Sequence, residues 1–256
     1  MPHEILFRRN TIRECLRAGR RQIYHLMVAR DADLAPAADI LAEARRRNIP
    51  VQDSNKQALN QAARGEPHQG MVLEVGSYPY VDLEDLIAYA AERGEPPLLV
   101  LLDLVQDPRN VGALLRTAEA MGVHGIVIQE RRGCEITPAV VTTSAGASEH
   151  LRVAQVTNLV DAMRRLAKQN VWLFGLGLGE EAEPIDQVDL NLPLGLVIGN
   201  EGDGLRRLVR DRCDRLLRLP MGGQVESLNA AVAGSIALYA ARSARRGLGS
   251  KPARTG

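Results

Sequence analysis

The chain has 256 residues, of which 45% are hydrophobic and 25% charged, a composition typical of a soluble globular protein with one large or two modest domains. A net charge of +1 does not by itself indicate a polyanionic partner, the longest apolar stretch (LLVLLDLV) is far shorter than the roughly 20 residues of a membrane span, and the first ten residues lack the apolar run of a secretory signal. The three cysteines are scattered, without a Cys-x-x-Cys or His-Glu-x-x-His pattern, so we expect reduced thiols, no metal site and a cytoplasmic protein.

Residues 1–76 are predicted to form a small α/β domain. Its patterns in chain order are a helix at TIRECLRAG, a strand at YHLMVA, a helix at APAADILAEARRRN, a strand at PVQD, a helix after Asn55 and a strand at MVLEV. This segment carries 12 basic and 9 acidic side chains, a net charge of +3, whereas the remainder carries 20 and 22, a net charge of −2. Arginines occur in runs at Arg8–Arg9, Arg20–Arg21 and 45–47. Any single run is typical of a solvated helix face, although arginine also suits phosphate contacts.

Residues 77–97 are predicted to be a linker followed by a helix capped by Asp82. From residue 98 the chain alternates again: LLVLLDL is a buried strand by its unbroken apolar run, and NVGALLRTAEAMG is a helix that stops at Gly122. Further strands are predicted at GIVIQ, HLRVAQV, VWLFGLGL, LGLVIG and RLLRLP. The whole chain therefore indicates an α/β architecture.

The stretch VWLFGLGLGEEAEP places Gly175, Gly177 and Gly179 after a strand, as a dinucleotide-binding loop would. However, the spacing is Gly-x-Gly-x-Gly, and two acidic residues and Pro184 follow where a helix N-terminus should receive a pyrophosphate. Negative charge at that point would repel the pyrophosphate. A nicotinamide cofactor is therefore disfavoured.

Three other strand ends carry polar, glycine-rich loops. The loop DPRN precedes a helix for which Asn110 is a suitable N-cap, and Arg116 follows two turns into that helix, where exposure is the ordinary expectation. The loop in LVIGNEGDGL puts Glu201 among turn-forming glycines, and LPMGGQVESLN ends with Ser227 and Asn229 before an Ala-rich helix. Ligands of open α/β sheets bind at the carboxyl ends of strands, so these loops are the candidate site.

Three segments, taken in order, resemble the signature motifs of the SpoU (TrmH-type) RNA ribose 2′-O-methyltransferases: DPRNVGALLRTAEAMG, LVIGNEGDGL and LPMGGQVESLNAAVAG. The segment that ends in PHQGMVLEV is similar, more loosely, to the RNA-binding domain of bacterial 23S rRNA guanosine-2′-O-methyltransferases. The resemblance implies an RNA-binding domain at 1–76, a linker and connecting helix at 77–97, and an S-adenosylmethionine-dependent methyltransferase domain at 98–256. It also implies a deep trefoil knot (the SPOUT-type α/β knot) in the second domain and a homodimer formed through it.

The resemblance also assigns individual residues, by their position in the motifs. Those assigned to the cofactor are Gly175, Ile198, Gly199, Leu219, Met221, Ser227 and Leu228. Those assigned to catalysis are Arg116, Asn110, Glu201 and Asn229. Gly222 and Gly223 would let the chain pass close to the cofactor. Because a guanidinium has no acceptor atom, we expect Arg116 to stabilise negative charge on the ribose 2′-oxygen rather than to remove its proton. Asn110 and Glu201 would order the side chains around it.

Two positions, Asn200 and Glu226, depart from the usual family pattern and are expected to tune cofactor affinity or RNA choice. The Ala-rich last helix, with Ala230, Ala231, Ala233 and Gly234, offers a close-packing surface for the dimer, although it could equally pack on its own sheet. Two alternatives remain: a tRNA ribose methyltransferase of the same fold, and an RNA-binding protein without activity. The basic N-terminal segment favours rRNA, and the presence of all the catalytic residue types argues against an inactive protein.

Overall fold

The structure is a computed structural model that describes residues 3–179, 181–224 and 227–245. The helices are α1 (Arg9–Ala18), α2 (Ala38–Arg46), α3 (Lys56–Ala62), α4 (Leu83–Glu92), α5 (Pro108–Ala120), α6 (Pro138–Thr143), α7 (Leu159–Lys168), α8 (Arg207–Arg210) and α9 (Ala230–Arg245). The strands are β1 (Glu4–Phe7), β2 (Ile23–Ala29), β3 (Val51–Ser54), β4 (Met71–Val75), β5 (Leu98–Asp103), β6 (Gly125–Gln129), β7 (Val153–Val156), β8 (Trp172–Leu176), β9 (Glu183–Pro184), β10 (Leu194–Gly199) and β11 (Arg215–Arg218).

The chain folds into two compact units that interleave along the sequence. The first unit comprises Met1–Pro79, Val111–Arg116 and Glu135–Leu151, and the second comprises the remaining segments. Helix α6 and a short 3-10 turn at Ala147–His150 belong to the first unit because they pack against β1 and α1. The domain boundaries at residues 76 and 98 stay a prediction, since the units are not consecutive segments of chain.

The first unit is built on a four-stranded sheet in the order β1-β4-β2-β3. Strands β1 and β2 run antiparallel to β4, and β2 runs parallel to β3. Phe7, Leu59 and Val72 form part of its apolar core. Strand β1 was not predicted, because the four-residue segment EILF, with three apolar residues, is too short to show a period.

The second unit is built on a seven-stranded sheet in the order β7-β6-β5-β10-β8-β11-β9, in which every pairing is parallel. All six residues of β5 are buried, as the unbroken apolar run predicted. The strand order reverses direction between β5 and β10, and such a switch point is where ligands of open α/β sheets bind. The mixed α/β class is confirmed; the trefoil knot stays a prediction.

Two predicted helix ends, the start of α4 and the end of α5, are also confirmed. Asp82 and Asp85 form a capping box at the start of α4, and Gly122 follows α5 in the left-handed conformation at φ 71°. Over the residues that the structure describes, none of the helices combines the length and the apolar character required to cross a bilayer.

The first unit contains a buried ion pair that corrects the interpretation of the arginine runs as solvated faces. The Arg21 guanidinium is fully buried; its Nε donates to Glu149 Oε2 at 3.0 Å, and its Nη1 donates to Glu4 Oε2 at 2.7 Å. Arg20 donates to the carbonyl oxygens of Pro79 and Leu151. Arg21 therefore holds Glu149, and Arg20 holds Pro79 and Leu151, within the first unit.

Substituting Glu149 with alanine should lower the free energy of unfolding by about 3–5 kcal/mol, because it removes the buried one of the two carboxylates that pair with the buried Arg21 guanidinium. Urea unfolding at neutral pH measures this change. The matched control is Glu43→Ala, which breaks an exposed pair with Arg46 and should not change the urea midpoint measurably. A Glu149→Ala protein with the wild-type midpoint would contradict a structural role for this pair.

Candidate cofactor cleft and catalytic cluster

A cleft of about 330 Å³ lies in the second unit, a volume within the range of small-molecule sites. Its lining comes from the end of β8, from the end of β10 with the loop 200–205, from the end of β11 and the segment after it, and from the start of α9. Two of the three motif loops, together with the loop after β8, thus meet in one cavity. This is the convergence expected at the carboxyl ends of neighbouring parallel strands.

Six of the seven residues predicted to contact the cofactor line this cleft: Ile198, Gly199, Leu219, Met221, Ser227 and Leu228. The seventh, Gly175, is buried in β8, where a Cβ would lie 2.6 Å from Leu205 Cδ1 and 2.8 Å from Cys213 Sγ. The next three residues of the chain, 176–178, take its place in the lining. Burial raises the pKa of the Cys213 thiol to about 12, so this group is a neutral packing element at neutral pH.

The lining suits a ligand that has an apolar body and a positive charge. Leu178, Met221 and Leu228 are 63%, 39% and 36% exposed, so the cleft presents apolar side chains to solvent. Clustered exposed apolar side chains often mark a ligand-binding surface. Glu201 and Asp203 add carboxylates to the same wall. S-adenosylmethionine has such a body and carries a sulfonium and an ammonium group, so the residues present fit it.

The glycines of the cleft differ in what they do. A Cβ on Gly199 would lie 2.2 Å from the carbonyl carbon and oxygen of Gly204 and 2.5 Å from the Leu205 nitrogen, so the loop after β10 folds back onto this residue. At Gly222 and Gly223, by contrast, a Cβ would meet nothing within 4 Å. The packing of the chain therefore requires glycine at 199 but not at 222 or 223. For Gly222 and Gly223, a close approach of the backbone to a bound ligand stays the predicted reason for glycine.

Gly199→Ala should lower both the unfolding free energy and the affinity for S-adenosylmethionine, because backbone atoms must move to admit the methyl group. Gly222→Ala should lower only the affinity. Calorimetric titration with S-adenosylmethionine and thermal unfolding of each variant separate the two effects. If Gly222→Ala binds the cofactor as tightly as the wild-type protein, the predicted close approach at that position is wrong.

A cluster of three polar side chains borders the cleft. Asn110 Nδ2 donates to Glu201 Oε1, Asn229 Nδ2 donates to the same oxygen at 2.8 Å, and Asn229 Nδ2 also lies 3.1 Å from Asn110 Oδ1. These residues come from three motifs that are up to 119 positions apart in the chain. Because Glu201 accepts both amide donors, its carboxylate is the centre that fixes the two asparagines.

The hydrogen bonds near the cluster show which residues cap α9 and α5. Asn229 Oδ1 accepts hydrogen bonds from the Ala231 and Val232 nitrogens, so Asn229 caps α9 with its oxygen while its nitrogen contacts Glu201. The expectation that Asn110 caps α5 is wrong. Helix α5 begins at Pro108, and the cap is Asp107, whose Oδ1 accepts from the Arg109 nitrogen. Proline is favoured at the first helical position, and this moves the cap three residues upstream.

The Asp107 and Asn200 side chains order their own loops. The Arg109 guanidinium beside Asp107 lowers the pKa of that carboxyl, so it is ionised at neutral pH. Asn200 Oδ1 accepts from the nitrogens of Gly202 and Asp203 at 3.0 and 2.7 Å, which closes the turn that presents Glu201. An alanine, which has no acceptor, could make neither bond. Glu226, the other departure from the family pattern, lies outside the described residues.

A second anchor of this loop was missed by the sequence analysis. Asp103, the fully buried last residue of β5, accepts hydrogen bonds from the backbone nitrogen and from Nε of Arg206 at 2.8 and 2.7 Å. Arg206 Nη2 also donates to Gln129 Oε1 at the end of β6. The sequence did contain a signal for this contact, because Asp103 ends an apolar strand and an acidic residue needs a partner when it is buried.

Three further arginines between residues 206 and 218 also bind nearby groups. Arg210 pairs with Glu181, and Arg215 pairs with Glu183 at 2.7 Å. Arg218 Nε donates to the Ala182 carbonyl oxygen. These contacts connect β11 and α8 to the segment after β8, so the three arginines stabilise the wall of the cleft.

Arg116 differs from these arginines. It lies on α5, six residues after Asn110, is exposed, and makes no hydrogen bond or ion pair to any residue that the structure describes. Its exposure matches the ordinary expectation for a helix arginine and equally leaves its guanidinium available to a ligand. In the described part of the chain, no group of three His, Cys, Asp or Glu side chains is arranged to hold a metal ion.

Comparison with known proteins gives the family. A sequence model described as the SpoU rRNA Methylase family matches residues 97–239, and one described as RNA 2′-O ribose methyltransferase substrate binding matches residues 6–81. The 23S rRNA (guanosine-2′-O-)-methyltransferase RlmB of Xanthomonas axonopodis pv. citri (strain 306) is 42% identical over 212 residues, which cover 82% of this chain and 84% of that protein.

Two further relatives extend over nearly the whole chain. YacO of Bacillus subtilis (strain 168), named for the TrmH family of tRNA/rRNA methyltransferases, is 39% identical over 237 residues, 93% of this chain and 94% of that one. The crystal structure of the SpoU methyltransferase AviRb from Streptomyces viridochromogenes, in complex with AdoMet, superposes with a TM-score of 0.79 at 25% identity and covers 95% and 91% of the two chains. The resemblance drawn from the three motifs is confirmed, and the chain belongs to the SpoU rRNA methylase family.

Proposed function

We propose that this protein transfers the methyl group of S-adenosylmethionine to a ribose 2′-hydroxyl of RNA, at a guanosine of 23S rRNA. The observation that carries the proposal is the cluster of Asn110, Glu201 and Asn229, which joins three motifs at the border of the cleft. An RNA-binding protein without activity would have no need for this arrangement. The 42% identity to an RlmB protein supports the choice of 23S rRNA.

The chain's own residues carry out the chemistry by binding and orienting. When bound, S-adenosylmethionine supplies an electrophilic methyl group on a sulfonium. The lining residues, Gly199 and Leu228 among them, hold the cofactor, and the cluster fixes the loops on which they lie. Holding two reactants in line lowers the barrier without any group that bonds covalently to either.

Arg116 is the proposed catalytic residue. Its guanidinium has donors but no acceptor atom, so it stabilises negative charge that develops on the 2′-oxygen. The proton then leaves to water or to a phosphate oxygen of the RNA. Asn110, Glu201 and Asn229 act as positioning residues, since each contacts the others through hydrogen bonds.

We propose that the segment 1–76 binds the RNA and that 98–256 forms the methyltransferase domain, with 77–97 connecting them. The match of residues 6–81 to a substrate-binding model and the net charge of +3 support this assignment. Because residues 135–151 pack within the first unit, a chain truncated after residue 76 would lose Glu149, one of the two carboxylate partners of Arg21, and point substitutions in the full chain are the better test.

We propose a homodimer in the cytoplasm, formed by a face of α9 other than the one predicted from composition. Of the four small residues predicted to form the dimer surface, Ala230, Ala231 and Gly234 are buried where α9 packs on β10, and Ala233 lines the cleft. The predicted close-packing surface is therefore wrong. The exposed apolar side chains at i, i+4 and i+7 are Val232, Ile236 and Tyr239, which are 48%, 43% and 65% exposed.

Ile236→Glu should convert a dimer into a monomer, because a charge at the centre of an apolar face must be desolvated on association. Sedimentation equilibrium at micromolar concentration measures the mass. The control is Leu208→Glu, which adds the same charge at another exposed apolar position, on α8. A wild-type protein that sediments as a single chain would refute the dimer.

The experiment that tests the function is mass mapping of ribose methylation in rRNA and tRNA from cells that lack the protein. We expect one 2′-O-methylguanosine to disappear from 23S rRNA and to return with the wild-type gene but not with Arg116→Ala. Loss of a tRNA methyl group instead would establish the tRNA alternative. Unchanged rRNA and tRNA would favour a protein without methyltransferase activity.

A further inference from the structure

A second cleft, of about 370 Å³, lies wholly within the first unit at the start of α1. Three of its lining residues are arginines, Arg8, Arg9 and Arg13, and the described residues that line it include no carboxylate. The cleft therefore concentrates positive charge in a concave site, and the N-terminal end of α1 adds to it.

The charge of this cleft is only partly neutralised. Arg13 is bound by Asp39 through two hydrogen bonds of 2.5 and 3.0 Å. Arg9 donates through Nη2 to the Asp33 carbonyl oxygen, which carries no net charge, and neither Arg8 nor Arg9 has an ion pair within the described residues. Two guanidinium charges thus remain without a counter-ion.

Three polar atoms of the lining residues are buried and have no hydrogen-bond partner among the described residues: Arg8 Nε, Arg9 Nε and Thr142 Oγ1. A buried donor without a partner costs free energy, so such atoms are rare unless a ligand satisfies them. Arg8 also has the positive φ of 72°, which strains a residue with a side chain. Donors without acceptors beside unbalanced positive charge are complementary to an anion.

Gln69 lines the cleft and lies in the segment His68-Gln69-Gly70, which takes no part in the cofactor cleft. Gly70 has φ +82°, and the His68 ring accepts a hydrogen bond from its nitrogen, which makes a tight turn. The turn places Gln69 Oε1 3.0 Å from the Arg9 nitrogen, at the first residue of α1. The turn thereby fixes the backbone from which Arg8 and Arg9 project.

We propose that this cleft binds a backbone phosphate of the RNA substrate, with Arg8, Arg9 and Thr142 as its donors. Arginine provides several N–H donors that match phosphate oxygens, and a threonine hydroxyl adds one more. The proposal rests on the proposed function for the identity of the RNA, but it makes a claim about binding that does not depend on methyl transfer.

The test is equilibrium binding of the full-length protein to a 23S rRNA transcript at several salt concentrations, without S-adenosylmethionine. Arg8→Gln and Arg9→Gln should each weaken binding about tenfold and reduce the slope of log K against log salt by about 1, as loss of one phosphate contact requires. The matched control is Arg45→Gln, which removes the same charge from an exposed position on α2 that does not line the cleft. It should change affinity less than twofold.

Thr142→Val gives an independent result that a structural role would not produce. Removing a hydroxyl that has no partner should leave the melting temperature unchanged or raised, whereas RNA affinity should fall several-fold without a change of salt slope. If free inorganic phosphate at millimolar concentration binds wild type but the arginine variants keep the wild-type RNA affinity, the cleft is a site for a small anion and the proposal is overturned. Wild-type salt slopes in both arginine variants overturn it as well. A wild-type protein that binds no RNA overturns the proposed function together with it.

Discussion

Arg116→Ala should reduce the single-turnover rate of RNA methylation by roughly two to three orders of magnitude while leaving the dissociation constant for S-adenosylmethionine nearly unchanged. A contact that forms mainly in the transition state lowers the rate without loosening the ground state, and removal of one oxyanion donor typically has this magnitude. The exposed position of Arg116, which makes no ion pair to a described residue, means that its loss should not lower the melting temperature.

The measurement is methyl transfer from saturating S-adenosylmethionine to saturating RNA, followed in a rapid-quench instrument. Arg116→Lys should recover little of the rate, because the planar fork of the guanidinium matters as well as its charge. Arg164→Ala is the control, since Arg164 is a half-exposed helix arginine in α7 that pairs with Asp161 in the same helix. An Arg116→Ala enzyme that works at near wild-type speed would show that Arg116 is an ordinary surface arginine.

Asn229→Asp should separate the two roles of Asn229. Aspartate is as good an N-cap as asparagine, so the hydrogen bonds from the Ala231 and Val232 nitrogens persist and α9 keeps its stability. The donor to Glu201 is lost, however, and a second carboxylate takes its place where the amide nitrogen lay 2.8 Å from Oε1. We expect the methylation rate to fall about tenfold to a hundredfold, the equivalent of one lost hydrogen bond to a charged group.

The pH dependence of this variant provides a sharper criterion. Two neighbouring carboxylates raise the pKa of one of them, so that below this raised pKa one group is protonated and can donate to the other. The rate of Asn229→Asp relative to wild type should therefore rise as the pH falls. Asn229→Ala, which removes cap and donor together, should lose activity at every pH and about 1 kcal/mol of stability. A relative rate for Asn229→Asp that does not vary with pH would argue against a direct contact with Glu201.

The sequence by itself predicted the elements whose signals are local. The run LLVLLD is apolar at nearly every position because both faces of a central parallel strand are covered, and β5 is buried throughout. Asn55 caps α3 and Asp82 caps α4, as expected from side chains that satisfy the first free N–H groups of a helix. Such local interactions are formed by neighbouring residues, so they can be predicted without knowing the fold.

The sequence also identified the family, and with it six residues of the cleft, because the motif loops carry the same residue types at the same spacing. It placed Gly175 in the site as well, although that residue packs inside the sheet against Leu205 and Cys213. The lining of the cleft begins at Leu176, one residue after Gly175. Since successive side chains of a strand point to opposite faces, such a shift moves a position from a cavity wall to the core.

Only the tertiary structure decided which distant residues meet. The contact between Asn110 and Asn229, the burial of Arg21 with Glu149, and the pairing of Asp103 with Arg206 all join residues more than 100 positions apart. Local pattern cannot distinguish a buried arginine from a solvated one, because the distinction depends on whether a carboxylate reaches the same place from another part of the chain. For the same reason Arg8 and Arg9 looked like any other arginine pair, and it was the fold that brought Thr142 into the cleft they line.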